Sequence, residues 1–279
     1  MSVRIIADST ADLMPGYQER VHTVPLTVIF GEESFLDGVT IDKKEFYERL
    51  VESDVLPTTS QAAPAAFICE LDKAKEAGDS AVVITVSSKL SGTYQSAVIA
   101  AADYDDVYVV DSGSAAIGSG ILVELACRLQ DEGLSAAEIA AALNEAKEKL
   151  IVVALVDTLE YLKKGGRISA TAAVVGGMLN IKPVVAIDDG VIQILGKARG
   201  SKMGNNLLVQ EIEKAGGVDF TRPVLLGYTG ISDALLLKYI EDSKFIWEGN
   251  LDEVRYTGIG SVIGTHAGPG AVAVAFFKK

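Results

Sequence analysis

The chain has 279 residues, about half of them apolar, and a formal charge of −13 from 25 basic and 38 acidic residues. This length is sufficient for two compact domains, and the acidic balance argues against a nucleic-acid partner. The N-terminal residues include Arg4 and Asp8 and form no signal-peptide core. No apolar run approaches the ~20 residues of a membrane span. We therefore expect a cytoplasmic protein without stable membrane insertion.

The first 150 residues alternate between strand-like and helix-like patterns. Strands are predicted at 3–7, 23–30, 81–86 and 107–110, and helices at 43–53, 64–77, 93–102, 115–130 and 136–150. Asp42 precedes one helix, and Ser135 with Glu138 three residues later forms a capping box before another. This alternation predicts an N-terminal α/β/α domain with a parallel sheet.

The second half has a different pattern. Strands are predicted at 151–156, 183–187, 191–197, 224–228, 253–256 and 271–277, with helices at 172–179, 202–215 and 233–241. Asp188-Asp189-Gly190 is a hairpin turn signal between two of these strands. A hairpin within an alternating pattern predicts a mixed sheet. We therefore expect an α/β chain of two domains, residues 1–150 and residues 151–279.

Loops rich in hydroxyl groups follow or precede several elements. The segment 87–93 connects a predicted buried strand to a predicted helix. The free N–H groups and the dipole at the start of that helix favour binding of an anionic group. Ser91 and Thr93 add hydroxyl donors there, and Gly92 allows close approach to the backbone. Similar loops lie at 8–12, 57–61 and 111–114, and a parallel sheet would gather them at one edge. The alternative is that these residues are helix caps and turn formers.

A basic segment interrupts the acidic chain. Residues 161 to 203 hold seven basic and only two acidic side chains. These groups either form a solvated face or meet an anionic ligand or acidic partner. Arg167 is the best candidate for ligand contact, because Gly165 and Gly166 precede it and free the backbone.

The last candidate is His266, one of two histidines, which lies within the glycine-rich segment 258–270. Crowded glycines there indicate close approach to another group. The chain contains no P-loop, dinucleotide fingerprint, nucleophile elbow or zinc-protease motif. Two histidines and two separated cysteines offer little for a transition metal, so we expect neither metal nor cofactor. A nucleophilic pair of Ser91 and His266 is conceivable, but no acidic third member is evident.

Six segments together resemble the DegV family of bacterial fatty-acid-binding proteins, in order and over nearly the whole chain. They are Asp8-Ser-Thr-Ala-Asp12, Pro57-Thr-Thr-Ser-Gln61, Leu90-Ser-Gly-Thr-Tyr-Gln-Ser96, Leu159-Glu-Tyr-Leu-Lys-Lys-Gly-Gly-Arg-Ile-Ser169, Lys182-Pro183 and Gly264-Thr-His-Ala-Gly-Pro-Gly270. The resemblance implies a two-domain α/β fold that holds a long-chain, palmitate-sized fatty acid between its domains. It also implies a carrier without catalytic activity, which presents the carboxylate to a fatty acid kinase and holds the acyl-phosphate product.

The same resemblance assigns expected roles to particular residues. The carboxylate would meet Thr59 and its neighbour Ser60, Ser91 with Gly92, and His266. Arg167 would serve the phosphorylated head group, and Arg199 that group or the kinase; the match around Arg199 is the least sharp. Two alternatives stay open: a hydrolase or phosphotransferase acting on acyl substrates through Ser91 and His266, and an interaction module that uses the basic segment.

Overall fold

The computed structural model describes residues 2–169 and 181–279. In this part of the chain the strands are β1 (Val3–Asp8), β2 (His22–Val24), β3 (Thr27–Phe30), β4 (Glu33–Leu36), β5 (Thr58–Ser60), β6 (Ser80–Thr85), β7 (Val107–Asp111), β8 (Leu150–Leu155), β9 (Ile181–Asp188), β10 (Val191–Arg199), β11 (Leu225–Tyr228), β12 (Tyr256–Gly258) and β13 (Val272–Phe277). The helices are α1 (Lys43–Glu52), α2 (Pro64–Ala77), α3 (Thr93–Ala101), α4 (Ile117–Asp131), α5 (Ala136–Ala146), α6 (Glu160–Lys164), α7 (Gly200–Lys214), α8 (Ala234–Asp242), α9 (Lys244–Trp247) and α10 (Ser261–Ala267). The helix predicted at 172–179 lies outside the described residues.

The strands form three sheets. The first is parallel, in the order β2–β1–β6–β7. The second has six strands in the order β10–β9–β8–β13–β11–β12; its β11–β12 pair is parallel and its other pairs are antiparallel. The third is a small antiparallel sheet, β4–β3–β5. The predicted α/β class, with a parallel sheet first and a mixed sheet second, is confirmed.

The small third sheet was not predicted, and it replaces the long strand expected at 23–30. That strand divides around Pro25, which has no N–H to donate to a ladder. As a result β2 joins the parallel sheet, whereas β3 pairs with β4 and β5. The register of β3 and β5 places Val28 opposite Thr59, so this sheet fixes the backbone of one predicted site residue.

The turn between β9 and β10 has the predicted hairpin geometry. Asp189 and Gly190 both have positive φ, 46° and 72°, as a type I′ turn requires. They connect strands whose antiparallel register begins at the pair Asp188 and Val191. The hairpin projects its turn toward the first half of the chain, where the Gly190 carbonyl accepts a hydrogen bond from Ser87.

Helix α4 lies between the parallel and mixed sheets. Its core cluster includes Val82 from the first sheet together with Val152 and Ala273 from the second. Two glycines allow this close packing: a Cβ on Gly120 would lie 2.1 Å from the carbonyl oxygen of Asp12, and one on Gly118 would lie 2.4 Å from the Val152 side chain. The two halves of the chain therefore share packing through α4, and the boundary at residue 150 stays a prediction.

Candidate functional site

A cavity of about 460 Å³ lies between the two halves of the chain. Apolar side chains from the mixed sheet form one wall, including Val152, Ala154, Val185, Ala186 and Ala273. The polar side chains that line the cavity include Thr10, Thr59, Ser60, Gln61, Ser91, Arg167, Thr229 and His266. The cavity is thus mainly apolar with a limited number of polar groups, which is the composition typical of a small-molecule site.

Thr59 and His266 meet at the cavity although they are far apart in sequence. Thr59 lies on β5 and His266 in the last turn of α10, and the Thr59 Oγ1 and His266 Nε2 atoms are 2.9 Å apart. Burial, with a smaller contribution from the positive charge of Arg167, lowers the pKa of His266 to about 4. At neutral pH the imidazole is therefore uncharged. Its Nε2 atom and the threonine hydroxyl form one hydrogen bond, in which the imidazole tautomer decides which group donates.

The other ring nitrogen of His266 is buried and has no hydrogen-bond partner among the described residues. Gly165 lies directly against it, because a Cβ there would be 2.2 Å from Nδ1. Any side chain at position 165 would displace the imidazole. Gly165, which the sequence analysis linked to Arg167, therefore provides the space that the His266 imidazole occupies.

Ser91 lies in the loop between β6 and α3, as predicted. Its Oγ accepts a hydrogen bond from the backbone N–H of Thr93, with an N–O distance of 3.2 Å, and lies 2.9 Å from the Thr93 hydroxyl. When the buried Thr93 hydroxyl donates to Ser91, the Ser91 hydroxyl keeps its own proton for a ligand. This contact is the turn-forming role that the sequence allowed for Ser91, and its role as a donor to a ligand stays a prediction.

Gly92 lines the cavity beside Ser91, but its backbone is approached by another side chain. A Cβ on Gly92 would lie 2.0 Å from Oε1 of Gln61. Gln61 in turn donates from Nε2 to the Ser96 hydroxyl at 3.0 Å. Gln61 belongs to the hydroxyl-rich segment 57–61, yet no sequence pattern indicated that it would lie against Gly92.

Arg167 is half-buried at the cavity and brings two loops together. Its Nε donates to the Leu90 carbonyl at 3.2 Å, and its Nη1 donates to the Gly165 carbonyl at 2.6 Å. Burial lowers the pKa of the guanidinium. Among the described residues no carboxylate forms an ion pair with it, so a positive charge faces the cavity without a fixed counter-ion.

Arg199 is separate from this group. It is exposed at the end of β10, directly before α7, and does not line the cavity. Ser60 is also exposed but does line the cavity. The fold therefore brings together Thr59, Ser60, Ser91, Gly92, Arg167 and His266, and it leaves Arg199 elsewhere on the surface.

Two buried carboxylates that were not predicted as site residues hold α10 in place. Asp12 accepts a hydrogen bond from the Gly260 N–H at 2.7 Å, and Asp37 accepts one from the Ser261 N–H at 3.1 Å. Burial is the main reason that the pKa of Asp12 rises to about 6. Because these carboxylates bond the N-terminus of the helix that carries His266, they help to set the position of the imidazole.

The family model of DegV, described as an uncharacterised protein family, matches residues 2–279. The chain belongs to the DegV family. A DegV domain-containing protein of Caldanaerobacter subterraneus is 34% identical over 284 residues, covering 99% of each chain. The resemblance stated from the six sequence segments is thus confirmed.

Solved structures of other proteins have the same fold. A DegV family protein from Thermus thermophilus, described as binding fatty acid, superimposes with a TM-score of 0.89 at 30% identity and covers 100% of both chains. A stearic acid-binding protein from Eubacterium ventriosum gives a TM-score of 0.88 at 29% identity, with 100% of this chain and 99% of that chain covered. In the described residues of this DegV chain, none of the helices has the length and apolarity needed to cross a membrane.

Proposed function

We propose that this protein binds a long-chain fatty acid in the cavity between residues 1–150 and residues 151–279. The observation that carries the proposal is the cavity itself, which joins apolar walls to a cluster of hydroxyl groups, an imidazole and a guanidinium. In this arrangement the fatty-acid carboxylate meets Thr59, Ser60, Ser91 and Gly92, with His266 beside them. The similarity of this chain to a DegV family protein described as binding fatty acid and to a stearic acid-binding protein supports the binding of a fatty acid.

The tail supplies most of the affinity, and the head-group contacts set the orientation. A palmitate-sized chain buries about fifteen methylene and methyl groups at about 0.8 kcal/mol each, or roughly 12 kcal/mol before the cost of association. A hydrogen bond from a serine or threonine to the carboxylate adds about 1–3 kcal/mol. The hydroxyl groups therefore decide which end of the molecule lies at Thr59 and Ser91.

We further propose a cytoplasmic carrier role rather than catalysis. The carrier presents the carboxylate to a fatty acid kinase, which transfers a phosphoryl group to it, and the carrier then holds the acyl phosphate. Arg167 serves the added phosphate, because its charge faces the cavity without a carboxylate partner among the described residues. Arg199, which lies outside the cavity, serves contact with the kinase.

The arrangement of Ser91 and His266 disfavours the alternative of a hydrolase or phosphotransferase. A nucleophilic serine needs a base within hydrogen-bonding distance. Here Ser91 contacts Thr93, whereas the Nε2 atom of His266 contacts Thr59. The imidazole is therefore paired with the wrong hydroxyl for activating Ser91.

Native mass spectrometry of protein purified from a bacterial host tests fatty-acid binding. We expect bound long-chain fatty acid in the wild type and its loss in Ala154→Phe, whose ring would fill the cavity. Ala234→Phe is a matched control, because Ala234 is exposed on α8 and does not line the cavity. Wild-type protein that neither retains nor takes up fatty acid would refute the proposal.

Hydrolysis of acyl esters or turnover of ATP by the purified protein, abolished in Ser91→Ala, would favour an enzyme.

The kinase role has its own test. With a fatty acid kinase and ATP, we expect Arg167→Ala to bind fatty acid within a few-fold of wild type but to form acyl phosphate at least tenfold more slowly. The physical reason is that a charged hydrogen bond from arginine to phosphate is worth about 1.5–3 kcal/mol. Lys163→Ala is the control, because Lys163 is an exposed cation on the neighbouring α6. Equal reductions in binding and phosphorylation would contradict a role of Arg167 that is limited to the phosphate.

Arg199→Glu should weaken kinase binding while leaving fatty-acid binding unchanged.

A further inference from the structure

Gln61 connects the two hydroxyl-bearing segments of the cavity. It directly follows β5, which carries Thr59, and its side chain extends across to α3, which follows Ser91. There its amide nitrogen donates to the Ser96 hydroxyl at 3.0 Å. Its amide oxygen occupies the space beside Gly92, where a Cβ would be only 2.0 Å away.

The two hydroxyl groups are otherwise held by different parts of the fold. Thr59 is fixed by the β3–β5 ladder and by its contact with His266. Ser91 is fixed by the turn that starts α3, through its contacts with Thr93. The distance between Thr59 and Ser91 therefore depends on how β5 sits relative to the start of α3, and the Gln61–Ser96 hydrogen bond ties these elements together.

We propose that Gln61 is a positioning residue, which sets the separation of the Thr59 and Ser91 hydroxyls so that both bond one carboxylate. The Gln61 amide occupies the space that a side chain at position 92 would fill. This inference rests on the proposed binding of a fatty acid and deepens it, because it identifies what makes the site selective for a carboxylate head group. Hydrogen bonds weaken steeply with distance and angle, so a small shift of either hydroxyl reduces selectivity for the head group without affecting the tail.

Two ligands with the same tail separate head-group recognition from tail burial. Dissociation constants are measured at pH 7.5 for palmitate and for hexadecan-1-ol, with wild type and Gln61→Ala. We expect Gln61→Ala to weaken palmitate binding by roughly three- to tenfold, which is part of the value of one or two hydrogen bonds. Hexadecan-1-ol binding should change by less than about twofold, because its burial is unaltered. Gln95→Ala is the control, since Gln95 is exposed on the same helix and does not line the cavity.

A double-mutant cycle tests the mechanism. Gly92 has a φ of −72°, which alanine adopts without strain, and the added Cβ would displace the Gln61 amide. The double variant separates this displacement from a direct contact between the new methyl group and the carboxylate. We expect Gly92→Ala and Ser96→Ala each to reproduce the palmitate-specific effect of Gln61→Ala. The double variant Gln61→Ala with Gly92→Ala should be no worse than either single variant, because contacting residues that act through one interaction are not additive.

The outcomes distinguish this inference from the proposed function. Wild type that binds neither ligand refutes fatty-acid binding, and the positioning role with it. Wild type that binds palmitate, with an unchanged ratio of the two dissociation constants in Gln61→Ala, refutes only the positioning role. Effects that multiply in the double variant also refute it, because they show that Gly92 and Gln61 act independently.

Discussion

At the scale of single residues, His266 combines burial with an uncharged imidazole. Its pKa of about 4 lies below the ordinary value of 6.5, so the unfolded chain binds a proton at a pH where the folded chain does not. The associated stability is complete above pH 6.5 and is lost as the pH falls toward 4. At about 1.4 kcal/mol per pKa unit, the full effect is roughly 3 kcal/mol.

We therefore expect His266→Gln to lose less stability than wild type between pH 7 and pH 4.5. Urea unfolding at a series of pH values measures the free energy of unfolding of both proteins. His22→Gln is measured for comparison, because His22 is exposed on β2 and does not line the cavity. Partial burial also lowers the pKa of His22, so this variant shows how much of the pH dependence comes from a histidine outside the cavity. The buried Asp12, whose pKa is raised, acts in the opposite direction but is common to both proteins. Equal pH dependence in wild type and His266→Gln would contradict a depressed pKa.

Ser91 illustrates how head-group and tail contacts divide the affinity. Ser91→Ala removes one hydroxyl donor and leaves the apolar walls unchanged. We expect fatty-acid affinity to fall by about tenfold, or about 1.4 kcal/mol, which is close to the lower end of the range for one hydrogen bond to a charged group. Titration with a fluorescent fatty acid measures this reduction, and Ser88→Ala, an exposed serine that does not line the cavity, is the control. A reduction above about two-hundredfold, or about 3 kcal/mol, would exceed the value of one such hydrogen bond and contradict this division of the affinity.

At the scale of elements, the β9–β10 hairpin closes one side of the cavity against the other half of the chain. The Ser87 hydroxyl donates to the Gly190 carbonyl at 2.7 Å, and Lys89 forms an ion pair with Asp189 at 2.6 Å. A Cβ on Gly190 would lie 2.5 Å from the buried Ser87 hydroxyl. Since Val185, Ile187 and Ile192 of the hairpin line the cavity, this contact also holds one of its walls.

Gly190→Ala should therefore weaken fatty-acid binding as well as stability. Alanine at a positive φ costs about 1 kcal/mol or more in stability, and the collision with Ser87 moves the hairpin. We expect faster release of bound fatty acid in stopped-flow measurements. Gly249→Ala is a matched control, because Gly249 has a φ of 79° with nothing within 4 Å of its Cβ position. Equal release rates in the two variants would show that the hairpin contact does not hold the cavity wall.

At the scale of the whole molecule, both halves of the chain line the cavity and pack against α4. A ligand in the cavity therefore stabilises both halves. At a hundredfold excess over the dissociation constant, a ligand adds about 2.7 kcal/mol to the free energy of unfolding, which corresponds to a rise in Tm of roughly 5 °C for a chain of this size. We expect one calorimetric transition that palmitate shifts as a unit, whereas octanoate at the same concentration gives a smaller shift. Separate transitions, with only one moved by palmitate, would contradict this coupling.

Local patterns were sufficient to predict much of the fold. Helix α2 has the predicted bounds because Pro64 starts it and Gly78, in a left-handed conformation, ends it. The Asp189-Gly190 turn was predicted because a type I′ geometry requires positive φ at both positions. Helix α5 instead ends at Ala146, four residues early, since a 3-10 turn leads directly into β8.

Helix α10, which lies within the glycine-rich segment 258–270, shows why other elements could not be predicted. Its seven residues carry no strong apolar periodicity, and its start is satisfied by the distant carboxylates Asp12 and Asp37. The small sheet that carries Thr59 likewise depends on pairing with β3 across a long connection. In both cases the stabilising partner is far away in sequence.

The sequence by itself determined the alternation of strands and helices, the hydroxyl-rich loops and the family. Those features are local, because propensity, capping and turn chemistry act over a few residues. Only the tertiary structure decided which groups meet: Thr59 and His266, which are 207 positions apart, and the Gln61 amide beside Gly92. Such pairings depend on how the sheets and α4 pack in three dimensions, and short-range sequence patterns contain no information about distances between remote segments.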